Sequence, residues 1–272
     1  MRDDGDLAEA YLDLVKQHLT RGSYRVPIMT VGDRRWEVFS RLQWIASRFG
    51  LELVKHVDAD DRDQGLDRSS DADTMIGRKR LDNLHHCVTD VLANQVPGDF
   101  IETGVWRGGA SIFMRAILRA SHDTSRTVWV ADSFQGLPRP DPDRYPADRG
   151  DRLWRMTGLA VSLDEVKANF ARYGLLDDQV RFLEGWFSET LPTAPIERLA
   201  VMRLDGDMYE STMDALEALY PKLSVGGYVI VDDFGAIDAC RQAVNDFRAA
   251  NAIDDEISSI DWTGAYWQRA HA

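Results

Sequence analysis

A chain of 272 residues with 44% hydrophobic content is long enough for one large α/β domain with additions. Its formal charge of −13 argues against nucleic acid or an anionic membrane as partner, because phosphate repels such a surface. Two widely spaced cysteines, no apolar run near the roughly 20 residues of a membrane helix, and an acidic N-terminus without an apolar leader core point to a cytoplasmic protein with reduced thiols.

The first segment, "MRDDGDLAEAYLDLVKQHLTRG", reads as an amphipathic helix with Leu7, Ala10, Tyr11, Leu14, Val15 and Leu19 on one face. A mixed stretch follows that holds a loop and a short helix. Asp58 to Asp73 is polar and charge-rich, which suits a solvated linker or a flap over a site. Residues 1–73 thus form a helical extension with an acidic lid segment. From Thr74 the pattern is regular. A helix with the stripe Leu81, Leu84, Val88, Val91 and Leu92 precedes the strand "GDFIETGV", a helix, and the strand "RTVWVADSF". Residues 139–162 carry Pro, Gly and charge and read as an inserted lid. Then come helix "LDEVKANFARYGL", strand "QVRFLEGWF", strand "RLAVMRLDGD", helix "TMDALEALYPKL", strand "GGYVIVDDFG" and helix "AIDACRQAVNDFRAANAI". The tail supplies two last strands. Alternating strands and helices imply a mostly parallel sheet covered on both faces, with ligands beyond the carboxyl ends of its strands.

That rim collects the informative residues. "FIETGVWRGGAS" is a strand, a glycine turn and a helix start, where Gly104, Gly108 and Gly109 let the backbone approach a ligand. The spacing is neither a dinucleotide fingerprint nor a P-loop. Glu102 before the turn suits an ammonium or sulfonium better than a pyrophosphate. Asp132 at the next strand tip can take both ribose hydroxyls or cap its own turn. Trp186 and Phe187 can stack on adenine or fill core. S-adenosylmethionine satisfies all three features.

Asp205, Asp232 and Asp233 tip two further strands, and unpaired acids so close raise one another's pKa. All-oxygen ligands suit Mg²⁺, although pairing with Arg203 or Arg107 is the competing explanation. A cation also makes an alcohol easier to deprotonate for attack on a sulfonium methyl. Residues two apart on an extended chain point the same way, so Asp207 is placed as the general base beside Asp205. His85 and His86 lie inside a predicted helix and suit packing, and His122 suits a cap.

These motifs, from "TMIGRKRLDNLHHCVTDVLANQVPGDFIETGVWRGGASIF" through "VWVADSFQGLP", "LEGWFSETLP" and "LAVMRLDGDMYES" to "GGYVIVDDFG" and "GAYWQR", resemble the macrocin O-methyltransferase family over residue 74 to the C-terminus. The resemblance implies a class I methyltransferase fold: a Rossmann-like α/β sheet of seven mostly parallel strands, the last antiparallel. It implies Mg²⁺-dependent methylation of a sugar hydroxyl on a glycosylated antibiotic, and a homo-oligomer, dimer or tetramer. By motif it gives Asp205, Asp232 and Asp233 as metal ligands and Asp207 as base. Thr74, Met75, Glu102, Thr103, Gly104, Ser111, Asp132, Ser133, Gly185, Trp186 and Asp205 are given to the cofactor. The competing activities are methylation of a catechol, nicotinamide-dependent oxidoreduction, and binding of S-adenosylmethionine without catalysis.

Overall fold

The computed structural model describes residues 4–21, 26–27, 44–50, 54–55, 59–66 and 72–271. The strands of the main sheet are β1 (Asp99–Thr103), β2 (Val128–Asp132), β3 (Val180–Glu184), β4 (Leu199–Leu204), β5 (Leu223–Val231), β6 (Ser258–Ser259) and β7 (Ala265–Gln268). Its principal helices are α1 (Asp4–Leu19), α2 (Arg78–Ala93), α3 (Gly109–Ala120), α4 (Leu163–Arg172), α5 (Tyr209–Leu219) and α6 (Asp238–Ala250). A helical crossover returns the chain to the same end of the sheet, so β1 to β5 run parallel. Their order is 3-2-1-4-5-7-6, and β7 runs antiparallel to both neighbours. This is the seven-stranded sheet expected from the sequence.

Strand side chains alternate between two apolar layers. Phe100, Val128, Val130 and Val201 pack with α1 to α4, while Ile101, Trp129, Met202 and Val229 pack with α5 and α6. Every residue of β4 is buried, as a central parallel strand requires. The predicted stripe of α2 is buried at Leu81, Leu84, Val88 and Val91, with Leu92 partly covered. Ser162 caps α4 by accepting the Glu165 N–H at 3.2 Å.

Helix α1 turns only part of its predicted face inward, with Tyr11, Val15 and Leu19 against the core. Leu12, Val15 and Leu19 are buried, whereas Leu7 and Leu14 are 63% and 65% exposed. The buried face includes Lys16, whose ammonium meets Asp82 at 2.5 Å and lies over the Phe113 ring, so its stem packs as apolar surface. Of the mixed stretch before residue 51, residues 44–47 are helical and most of the rest lies outside the described residues. Within the polar segment 58–73, a helical turn at Ala59–Asp63 leads to Gln64, whose carbonyl accepts from Trp262 Nε1 at 2.9 Å. That part is docked against the C-terminal loop. Residues 58 and 67–71 lie outside the described residues.

Candidate active site

The sheet's carboxyl rim is built where the ladders of β1 with β2 and of β4 with β1 continue past the strand ends. Gly104 N donates to Ala131 O and Asp205 N to Thr103 O, both at 2.9 Å. Gly104 has φ +79°, and a Cβ there would lie 1.8 Å from the Asp205 carbonyl oxygen, so the strand tips can meet only if this residue is glycine. The turn is then braced by Asp132, whose two oxygens accept from Val105 N at 2.8 Å and Phe134 N at 2.7 Å. Asp132 is therefore both a cap and a wall of the cleft.

The cleft beside it is lined by Met75, Gly104, Ser133, Gly185, Trp186 and Asp205, with Asp207 further along. The Trp186 ring belongs to this wall and is half-buried. The other sequence candidates for the cofactor stand behind it. Thr103 and Ser111 are fully buried, and Thr74 packs against Gly109 at the start of α3. Glu102, expected to face a cationic ligand, instead accepts from Ser111 and from Arg203 Nη1, the latter at 2.7 Å. The register explains it: Glu102 and Arg203 are direct neighbours across β1 and β4. Burial still pushes the Glu102 carboxyl up to about 7, against the pull of Arg203.

Among the described residues Arg203 and Arg80 are the cations bonded to the rim acids, and sequence reasoning missed Arg80. Arg203 is fully buried and donates to Glu102, to Asp205 at 2.9 Å and to Asp232. Arg80, from the first turn of α2, donates to the other oxygen of Asp232 and to Asp261 at 3.0 Å. Both carboxylate oxygens of Asp232 thus face guanidinium groups. The acids whose oxygens converge are Asp205, Asp207 and Asp233, all within 4.8 Å of one another. This trio differs from the expected ligand set of Asp205, Asp232 and Asp233 by one member.

Asp207 reaches the group by a route other than the extended chain inferred from the sequence. Strand β4 stops at Leu204, and Asp207 takes φ +59° in a turn closed by Met208 N donating to Gly206 O at 2.6 Å. Its carboxyl accepts no hydrogen bond among the described residues, and burial together with Asp205, Asp232 and Asp151 holds its pKa well above the usual carboxylate range. Burial and the neighbouring acids raise Asp233 in the same way, and among the described residues its buried Oδ2 has no hydrogen-bond partner. Asp205 is raised to about 6, by burial first and then by Asp232. Among the described residues the rim sets six carboxyls (Glu102, Asp205, Asp207, Asp232, Asp233 and Asp261) against two bonded guanidiniums. An oxygen-only cluster this short of positive charge, with one carboxylate oxygen partnerless, fits a hard divalent cation.

His85 and His86 take the packing role anticipated for them, and His122, expected as a cap, stands exposed just past the end of α3. His85 lies beside Lys16 and Phe113, His86 beside Tyr228, and His122 follows α3 in a left-handed turn. Among the described residues no helix is long and apolar enough to cross a membrane, and both cysteines are free and buried.

A family model described as macrocin-O-methyltransferase (TylF) matches residues 8–269. The 8-demethyl-8-(2,3-dimethoxy-α-L-rhamnosyl)-tetracenomycin-C 4'-O-methyltransferase of Streptomyces olivaceus is 56% identical over 98% of this chain and 95% of its own. The mycinamicin III 3''-O-methyltransferase of Micromonospora griseorubida is 56% identical over 77% of this chain and 83% of its own. The solved structure of the O-methyltransferase NovP superposes with a TM-score of 0.85 at 50% identity, covering 97% of this chain and 100% of that one.

Proposed function

Because this chain belongs to the macrocin O-methyltransferase (TylF) family and is an O-methyltransferase, we propose that it transfers a methyl group from S-adenosylmethionine to a sugar hydroxyl of a glycosylated small molecule, with Mg²⁺ held by its acidic rim. The observation that carries this is the converging group of Asp205, Asp207 and Asp233, with Asp233 Oδ2 partnerless, beside a cleft walled by Asp132 and Trp186. The relatives named above act on sugar-bearing natural products, which supports a glycoside as acceptor over a catechol.

The chain's own residues divide the work. The Gly104 turn and Asp132 present backbone and carboxylate to the cofactor, Trp186 offers a ring face to its adenine, and Met75 covers the mouth. S-adenosylmethionine supplies a methyl carbon made electrophilic by its sulfonium. Asp205 and Asp233 would hold the cation, and Asp232 would join them through lone pairs left over from its arginines. A divalent cation there supplies Lewis acidity, which eases loss of a proton from an alcohol. Asp207 is the acid assigned to that proton, because it lines the cleft, has no arginine partner among the described residues and carries a raised pKa.

The test is transfer of labelled methyl from S-adenosylmethionine to a panel. The panel holds mycinamicin III, demethylated tetracenomycin rhamnosides, demethyldecarbamoylnovobiocin and a simple catechol. Methylation of one or more glycosides in the presence of Mg²⁺ is expected. Methylation of the catechol alone would overturn the acceptor assignment.

A further inference from the structure

Helix α5 begins immediately after the Asp205–Asp207 turn, and its start lacks a local cap. Met208 occupies the N-cap position and makes no side-chain hydrogen bond there. A helix start leaves its first N–H groups without intrahelical partners, and an uncapped start frays. Here the missing acceptor comes from far away in the chain. Asp148, in the insertion 139–162, accepts Tyr209 N–H at 2.7 Å through one oxygen and Glu210 N–H at 3.0 Å through the other. Asp148 is 2% exposed, and the Tyr145 ring packs on the Tyr209 ring with centroids 6.1 Å apart. A carboxylate at a helix N-terminus also meets the positive end of the helix dipole.

The insertion is pinned at a second point as well. Trp106 of the glycine turn donates its Nε1–H to Gly158 O at 2.9 Å. One pin thus holds the insertion to the glycine turn and the other to the helix start that follows the acidic turn, and Arg139, Asp141 and Leu159 of the insertion line the cleft. Resting on the reading of Asp207 as base, we propose that Asp148 is a positioning residue: by capping α5 it sets the direction of the turn that carries Asp207. The chain from Asp207 to Tyr209 has one intervening residue, Met208, which is buried and closes the turn onto Gly206. A frayed first turn of α5 therefore releases Asp207 directly. Displacement of a reacting group by about 1 Å is enough for roughly a hundredfold loss of rate.

The experiment compares wild type with Asp148→Ala, Asp148→Asn, Asp207→Asn and the double variant Asp148→Ala/Asp207→Asn. Amide hydrogen exchange over residues 205–211, which needs no acceptor, should quicken in Asp148→Ala while the segment 132–136 stays as in wild type. With the glycoside that the panel identifies, kcat should fall at least about tenfold and the KM for S-adenosylmethionine should stay within about twofold. Asp148→Asn keeps one carbonyl acceptor and should recover part of the rate; it carries the same measurements if the alanine variant does not fold. Adding Asp148→Ala to Asp207→Asn should cost nothing more, because the first substitution acts through the second residue. Unchanged exchange at 205–211, an unchanged kcat, or losses that multiply in the double variant would each overturn the inference. If Asp207→Asn itself keeps the wild-type rate, the base assignment fails instead, and the exchange result still decides whether Asp148 holds the turn.

Discussion

Arg203 and Glu102 form an ion pair 2.7 Å long in which each side chain is 2% exposed. The pair sits behind the cleft, and the same guanidinium also reaches Asp205 and Asp232. Removing it leaves three acids without their shared cation. Breaking a buried pair from one side costs about 3–5 kcal/mol, since the remaining charge stays uncompensated. Arg203→Met should therefore lower unfolding stability by that order, read as the shift in urea midpoint. A loss below about 1 kcal/mol would mean that the acids are neutral in the folded protein.

Asp207→Asn should reduce kcat at least about a hundredfold, the range in which a positioned base contributes. Affinity for S-adenosylhomocysteine, measured by titration calorimetry, should stay within about twofold. A variant that turns over normally would reassign the base.

Chelation should abolish methyl transfer, and added Mg²⁺ should restore it. A second readout is independent of turnover. Mg²⁺ should raise the melting temperature of the ligand-free protein, because an ion that binds only the folded state stabilises it by about 2.7 kcal/mol at a hundred times its dissociation constant. Asp233→Asn removes the acid with the partnerless oxygen and should abolish that rise. A rise of equal size in wild type and variant would place the ion elsewhere.

The acids also set a pH dependence of stability in the absence of cations. Asp205 is raised to about 6, chiefly by burial, and Asp207 and Asp233 are raised by burial and neighbouring acids. A folded pKa above the unfolded value of about 3.9 means that the folded state holds protons the unfolded chain releases. These groups therefore subtract stability as pH rises from about 4 through 6 and beyond. Asp177, lowered first by its bond from Arg115, acts in the opposite sense: its contribution is present above the unfolded pKa and is lost as pH falls. The cluster's share is isolated by comparing Asp207→Asn with wild type. Without cations the variant should be the more stable protein at about pH 8 and gain nothing at about pH 4. Thermal melts showing the same difference at both values would refute this.

Gly104→Ala should be inactive and poorly folded. Its Cβ would meet the Asp205 carbonyl oxygen at 1.8 Å, and φ +79° adds strain of order 1–3 kcal/mol for any other residue. Circular dichroism melts and methyl transfer would check it. A stable, active variant would mean the tips of β1 and β4 can part without consequence.

Much of the fold was legible because period and chain order speak for themselves. Acid-tipped strands separated by helices can hardly be arranged except as parallel neighbours, and the reversal at β7 follows from the short final connection. What escaped were properties that depend on partners remote in sequence. The apolar residues of α1 do not reveal that Lys16 is part of the inward face, because its partners Asp82 and Phe113 lie on α2 and α3. Glu102 looked like a ligand group until β4 set Arg203 beside it. Asp205 and Asp207 looked extended, and only the chain's turn after Leu204, with Asp207 at φ +59°, brings Asp207 round to Asp205 and Asp233. Asp148 gave no local sign at all: a cap borrowed from some sixty residues away leaves no pattern in the sequence.

The two fastenings of the insertion have an engineering consequence. Asp148 is fastened to the first turn of α5 and Gly158 to the glycine turn, so a segment put in place of residues 149–157 would be held at both ends. Exchanging that segment with both anchors kept would alter the charge felt at Asp207, because Asp151 lies within it.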